Sequence, residues 1–191
     1  MTIRDTHFFD TLADTIYQAN VLVGWWDDPD RCLFTTLQLV STEVAEATEG
    51  VRKCLHDTHL PDRPMEEVEY ADALIRTLDV GGKLKLSYDD DSVAHPWCIA
   101  TNTVGHQQLG MNAAIVKMGE ALYDFYHYGS GNEVYNVVLE QCYGDLIASI
   151  VTVSKNRDLL LFEAVEAKME YNKTRADHKR ENREKANGKK F

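Results

Sequence analysis

Residues 41–79 read STEVAEATEGVRKCLHDTHLPDRPMEEVEYADALIRTLD, and this stretch decides the fold. Two runs with the apolar spacing of an amphipathic helix flank the loop HDTHLPDRP, where two prolines and two aspartates favour turns. The first run predicts a helix from Leu33 to about Leu55. The second predicts a helix over 65–80, which the pair Gly81-Gly82 should end. The stretch therefore indicates two helices packed side by side.

The rest of the chain has the same helical periodicity. Further helices are expected over 8–23, ending before GWWDDPD, over 104–128, over 134–153, and from near Asp158 into the polar tail. The connection KLKLSYDDDSVAHPW predicts at most a short strand or turn. Because the alternation typical of strands is nearly absent, the expected fold class is all-α, a helical bundle.

Composition narrows the class of protein. A chain of 191 residues with 44% hydrophobic residues predicts one domain with a substantial core. The excess of 31 acidic over 20 basic residues argues against duplex nucleic acid as the main partner, since phosphate backbones are bound by basic charge. Apolar runs are shorter than the roughly 20 residues that cross a bilayer, and the N-terminal sequence lacks a signal-peptide pattern. These features predict a cytoplasmic protein without membrane association.

Acidic pairs occur at the same spacing in both helices of the opening stretch. Glu43 and Glu46, like Glu69 and Asp72, are three residues apart and so project from one side of a helix. Antiparallel packing would bring the four carboxylates together, and hard divalent cations prefer such oxygen ligands. Acids this close to the apolar stripe would repel one another without a cation. The sequence thus predicts a Mg²⁺ or Mn²⁺ site, with solvated helix faces as the alternative.

The pattern of ExxE, a loop and ExxD resembles the MazG-like all-α nucleoside triphosphate pyrophosphohydrolases, relatives of the dimeric all-α dUTPases. Two flanking segments are similar to segments of the phage and bacterial branch of this family: GWWDD and AKMEYNKTRADHKRENREKANGKKF. The resemblance implies hydrolysis between the α and β phosphates, which releases a nucleoside monophosphate and pyrophosphate and controls a nucleotide pool, for example in a phage-infected cell. It also implies a homodimer or homotetramer, and it favours a purine deoxynucleotide such as dGTP as substrate.

The resemblance also assigns roles to particular residues. It places the metal on Glu43, Glu46, Glu69 and Asp72, with Glu43 or Glu46 as the catalytic base. The implied nucleotide-binding residues are Trp25, Trp26, Arg52, Lys53, Lys168, Asn172, Arg175 and His178. Lys168, Asn172 and Arg175 match the K-x-x-x-N-x-x-R element of the family's C-terminal segment. The remainder of the basic tail, residues 176–191, is expected to be mobile.

One segment departs from the short members of the family. Residues 83–158 separate the ExxD helix from the tail element, and they resemble a degenerate second copy of the first half. In that alignment Glu120 and Asp145 match Glu46 and Asp72, whereas Lys117 and Cys142 replace two ligands. A site that has lost two oxygen ligands and gained a positive charge should not hold Mg²⁺ in the same way. Chance similarity between amphipathic helices is the alternative.

Some assignments remain open in the sequence. Base selection could involve Trp26, His106 or Asn112. A zinc site at Cys54, His56 and His59 would lack a fourth ligand, so chance clustering is favoured. The alternative function is a non-catalytic helical protein that binds a nucleotide or metal as a sensor or assembly module.

Overall fold

The computed structural model describes residues 6–99, 103–129, 132–175 and 180–183. Within these ranges the chain is all-α, which confirms the expected fold class. The helices are α1 (Thr6–Leu22), α2 (Leu33–Lys53), α3 (Met65–Leu84), α4 (Pro96–Ile99), α5 (Val104–Tyr128), α6 (Glu133–Asn156), α7 (Leu161–Thr174) and α8 (Arg180–Arg183).

The helices α2 and α3 form an antiparallel pair, as residues 41–79 predict. Gly50, near the end of α2, lies against Met65 at the start of α3, whereas Glu43, two turns earlier in α2, lies against Arg76, three turns later in α3. The loop between the helices is fixed by its own hydrogen bonds. The Asp57 carboxylate accepts from the backbone N–H groups of His59 and Leu60 at 2.9 and 2.7 Å. The pairing therefore has a defined register, which positions the acidic residues.

The helix α3 lies at the centre of the bundle. It contacts α1, α2, α6 and α7, and apolar side chains are buried around most of its circumference, among them Tyr70, Leu74 and Leu78. A helix that is apolar on nearly every side is stable only when surrounded. The acids on α3 consequently lie inside the protein and are not on a solvated face.

A second pair, α5 and α6, packs beside the first through contacts of α5 with α2 and of α6 with α3. By length and composition α6 is apolar enough to cross a membrane, but 56% of its apolar window is buried inside the bundle. Burial of this kind is typical of a core helix. The structure is therefore compatible with a soluble protein.

The prediction that Gly81 and Gly82 end α3 is wrong. The helix continues to Leu84, and Lys85 takes the left-handed cap position with φ 57°. The glycines are instead needed for close packing, since a Cβ at Gly81 would collide with Tyr143 of α6 and one at Gly82 with the α1 backbone. A contact between distant parts of the chain, not a helix stop, explains the pair.

The substitution Gly82→Ala is expected to destabilise the protein. The added Cβ would lie 2.6 Å from the Ala13 carbonyl oxygen, and overpacking of this kind costs about 1–3 kcal/mol. Gly119→Ala is the matched control, because a Cβ there meets no atom within 4 Å and replacing a helical glycine stabilises by about 0.5–1 kcal/mol. Urea unfolding of both variants checks this. Equal stabilities would contradict the packing role of Gly82.

Other boundaries differ from the prediction in smaller ways. The connection after α3 contains the short helix α4, which the sequence did not indicate, and α6 is longer at both ends than residues 134–153. The last predicted helix begins at Leu161, not near Asp158, because Asp158 adopts φ 54° and interrupts the chain between α6 and α7. Most of the tail expected to be mobile, 176–179 and 184–191, lies outside the described residues.

Candidate metal centre

Three carboxylates meet where α2 crosses the middle of α3. One oxygen each from Glu43, Glu69 and Asp72 lies within 4.8 Å of the others. The i, i+3 spacing of the two α3 acids and the antiparallel register of Glu43 produce this convergence. The structure thus brings together three of the four acids that the sequence proposed as metal ligands.

Glu46, the fourth proposed ligand, lies at the rim of the site. It is exposed, one turn along α2 from Glu43, and lines the same cavity as the cluster. This carboxylate cavity has a volume of about 270 Å³. Its lining consists of Glu43, Glu46, Asp57, Thr58, His59, Met65, Glu69, Asp72, Arg76, Lys168 and Arg175.

Two cations contact the carboxylates directly. Arg76 Nε lies 2.6 Å from Glu43 Oε1, and Lys168 Nζ lies 2.7 Å from Asp72 Oδ2. Lys168 is 4% exposed, so α7 places a buried ammonium group at the cluster. Glu46 and Glu69 have no such ion pair among the described residues. Arg76 and Lys168 therefore each pair with one of the four carboxyl groups.

The crowding shifts the pKa values of the acids. Burial, the Asp72 charge and a hydrogen bond to Glu43 together raise the pKa of Glu69 to about 9. Burial also raises the pKa of Asp72, although Lys168 opposes this shift. Burial followed by the charges of Glu43 and Asp72 raises the pKa of Glu46. The site therefore favours additional positive charge, either a proton or a cation.

The donor set fits a hard divalent cation. All candidate ligand atoms are carboxylate oxygens, which are the ligands that hard divalent cations prefer. Glu43, Glu69 and Asp72 would hold the ion, and Glu46 could reach it from the rim.

A second cavity continues from the carboxylate cavity along α3. This adjoining cavity has a volume of about 70 Å³ and shares Asp72, Arg76 and Arg175 with the first. Its remaining lining residues are Asn20, Trp25, Arg31, Thr36, Ile75, Asp79 and Asn172. The two cavities meet at these three shared residues and are together called the cleft. The carboxylate cluster lines the first cavity, and Trp25 and Asp79 line the second.

The two tryptophans of GWWDD have different positions. Trp25 is 8% exposed and lines the adjoining cavity. Trp26 lies outside that lining and supports it, since its indole N–H donates to Asp79 Oδ1 at 3.0 Å and Arg31 stacks over its ring at 4.6 Å. Trp25 is therefore the tryptophan that a ligand would contact.

The tail element lies at the cleft. Lys168, Asn172 and Arg175 each line one or both cavities. The side-chain oxygen of Asn172 is buried and accepts no hydrogen bond from the described protein atoms. The Arg175 guanidinium lies 5.7 Å from the Tyr171 ring, which in turn packs on His59. The final turn of α7 thus closes one wall of the cleft.

Several predicted nucleotide contacts lie elsewhere. Arg52 and Lys53 are exposed and each pairs with Glu49 at 2.8 Å, because Glu49 is one turn away whereas the carboxylates are farther along α2. His106 is exposed beside Thr103, and Asn112 accepts a hydrogen bond from Ser41. None of these four lines either cavity in the described structure. His178 lies outside the described residues.

Among the residues of the cleft that the sequence did not indicate are Asn20, Arg31, Arg76 and Asp79. The sequence contains a signal for Arg76 and Asp79. Glu69, Asp72, Arg76 and Asp79 follow one another at i, i+3, i+7 and i+10, which is the spacing of one helix face. Asn20 and Arg31 carry no such signal, since only the packing of α1 and the following loop brings them to the cleft.

The proposed degenerate copy has a cavity of its own. Lys117, Cys142 and Asp145 line a space of about 370 Å³ between α5 and α6, together with mostly apolar side chains. Burial raises the pKa of Cys142, so its thiol stays protonated at neutral pH. The described residues contain no cluster of potential metal ligands there, and none at Cys54, His56 and His59.

Comparison of the chain with protein families, curated proteins and solved structures finds no match. The cleft is therefore interpreted from its own chemistry.

Proposed function

We propose that this protein is a metal-dependent nucleoside triphosphate pyrophosphohydrolase of the MazG-like type. The observation that carries the proposal is the cluster of Glu43, Glu69 and Asp72, whose converging oxygen atoms are suitable ligands for a divalent cation. The adjoining cavity with Trp25, Arg76 and Arg175 supports it, because it provides cations and an aromatic surface beside the carboxylates. In this arrangement a metal ion on the carboxylates would contact the phosphates of a nucleotide, and Trp25 would contact its base.

Each side chain of the cleft has a role in this proposal. Glu43, Glu69 and Asp72 hold Mg²⁺ or Mn²⁺, which supplies neutralisation of phosphate charge and acidification of a water molecule when bound. Arg175 and Lys168 donate to phosphate oxygens, for which the fork of a guanidinium is well suited. Trp25 covers the nucleoside. Arg76 holds Glu43 in place through their ion pair.

Glu46 is the better candidate for the general base. Glu43 is buried and engaged by Arg76, whereas Glu46 reaches solvent and burial raises its pKa. General-base catalysis contributes about 10²- to 10⁴-fold to rate. In the reaction, water attacks the α-phosphorus, Glu46 accepts its proton, and the bond to the oxygen that bridges to the β-phosphorus breaks. The products are a nucleoside monophosphate and pyrophosphate.

The decisive assay measures the released phosphate species. The assay incubates purified protein with Mg²⁺ and one canonical NTP or dNTP at a time. A nucleotide that is a substrate should release pyrophosphate and no orthophosphate. Release of orthophosphate would contradict cleavage between the α and β phosphates. Binding of nucleotide or Mn²⁺ without any release would favour the alternative, a sensor or assembly protein.

We further propose that the protein acts on a nucleotide pool in the cytoplasm of a bacterial or phage-infected cell, as a homodimer or homotetramer. The exposed apolar side chains of α5 and α6 support self-association, among them Leu109, Val116, Tyr123, Val134 and Val137. Light scattering of the purified protein measures the assembly, and a monomer at micromolar concentration would contradict it.

A further inference from the structure

Asp79 lies at the end of the cleft that is opposite to the carboxylate cluster. It follows Asp72 by seven residues on the same face of α3, which corresponds to a distance of about 10 Å along the helix. It is 4% exposed and lines the adjoining cavity. The roles assigned above leave this buried acid without a function.

The carboxylate of Asp79 is held in one orientation by protein donors. Trp26 Nε1 donates to Oδ1 at 3.0 Å, and the Asn20 side chain forms a second hydrogen bond. Burial raises the pKa of Asp79, whereas the hydrogen bonds from Asn20 and Trp26 and the charge of Arg31 oppose this shift. In its ionised form the carboxylate has about four acceptor positions and no donor. Two protein donors therefore leave acceptor capacity that a group in the cavity can use.

The nucleobases differ in what they offer to an acceptor-only group. Guanine has two neighbouring donors, N1–H and the 2-amino group. Adenine and cytosine place a donor beside an acceptor, and uracil and thymine place one donor between two acceptors. Only guanine therefore matches both oxygens of a carboxylate without setting an acceptor against it.

We propose that Asp79 selects guanine nucleotides by accepting hydrogen bonds from N1–H and the 2-amino group of the base. This inference rests on the proposed function, because it assumes that the triphosphate occupies the carboxylate cavity. The distance from Asp72 to Asp79 is comparable to the distance from the α-phosphate to the far edge of a base. Trp25, in the wall of the same cavity, provides a surface for the ring.

The test is calorimetric titration with non-hydrolysable α,β-imido analogues of dGTP, dATP, dCTP, dTTP and GTP in the presence of Mg²⁺. Wild-type protein should bind the guanine analogues at least about 10-fold more tightly than the others. Asp79→Asn keeps an acceptor for the Trp26 indole but offers the base one acceptor and one donor. Its affinity for guanine should fall about 10- to 100-fold.

A complementary base separates direct recognition from a structural effect. Xanthine keeps the N1–H donor of guanine but has a carbonyl in place of the 2-amino group, so it matches a carboxamide. Asp79→Asn should therefore bind the xanthine analogue more tightly than wild type does. Asp14→Asn, which removes an exposed acid of α1, is the control and should leave all affinities unchanged. Equal weakening for every base without a gain for xanthine would overturn the proposal.

The two proposals fail in different ways. Selective binding of the guanine analogues without pyrophosphate release from dGTP or GTP would refute the hydrolase but support base selection by Asp79. Pyrophosphate release at similar rates from all four dNTPs, with equal analogue affinities, would support the hydrolase and overturn the role of Asp79.

Discussion

Glu69→Gln is expected to abolish pyrophosphate release without weakening the fold. At neutral pH the metal-free protein already holds Glu69 protonated, because burial and the neighbouring Asp72 raise its pKa to about 9. A glutamine has the same size and the same lack of charge, so the melting temperature of the metal-free protein should not fall. The variant loses a charged metal ligand, and metal ions contribute several kcal/mol to such reactions, which corresponds to a loss of at least about 10³-fold in rate.

The measurement is pyrophosphate release together with thermal unfolding in the presence and absence of Mn²⁺. Wild type should be stabilised by the ion, and Glu69→Gln should not. Glu163→Gln, an exposed position on α7, is the matched control and should behave as wild type in both assays. A fully folded Glu69→Gln protein with activity within 10-fold of wild type would refute the assignment of Glu69 as a ligand.

The affinity for Mn²⁺ should increase about 10-fold for each unit of pH between about pH 6 and 8, because binding must displace the proton of Glu69. The same proton sets the stability of the metal-free protein. Since the folded-state pKa of about 9 exceeds the usual 4.5, the folded state binds more protons than the unfolded state in this window. The free energy of unfolding therefore falls as the pH rises from 4.5 towards 9.

Calorimetric titration with Mn²⁺ in buffers of different ionisation enthalpy measures both the affinity and the protons released. About one proton per ion is expected near pH 7. Glu69→Gln should bind Mn²⁺ weakly and with little dependence on pH. An affinity for wild type that stays constant from pH 6 to 8 would show that Glu69 is not the group displaced.

Helical periodicity was sufficient to predict the α2 and α3 pair and the position of its acids. The spacing of Glu43, Glu69 and Asp72 on apolar-striped helices is a local property, and antiparallel packing is the simplest way to bury both stripes. The cluster followed from these two facts.

The predictions that failed concern tertiary contacts. The Gly81-Gly82 pair has the composition of a helix stop, and only the proximity of α1 and Tyr143 shows its packing role. Arg52 and Lys53 have suitable charges, but Glu49 lies nearer to them than the site does. Sequence spacing identifies residues on one helix face, whereas the partner of a long side chain depends on neighbours from other elements.

Glu66 and Glu67 show that sequence spacing also does not separate a structural acid from a candidate metal ligand. Both belong to the acidic start of α3 and are buried, but they serve the fold. Glu66 forms a two-pronged ion pair with Arg157 at 2.9 and 3.0 Å, and Glu67 accepts from the backbone N–H of Leu160. Acidic residues therefore mark both the candidate metal centre and the anchor of the α6–α7 turn, and the sequence alone did not separate them.

Anomalous diffraction from crystals soaked in Mn²⁺ tests the central claim most directly. The proposal predicts a manganese peak within bonding distance of Glu43, Glu69 and Asp72, with Glu46 at the open side. An absence of density there, with Lys168 still paired to Asp72 at a concentration of Mn²⁺ that supports full activity, would contradict it.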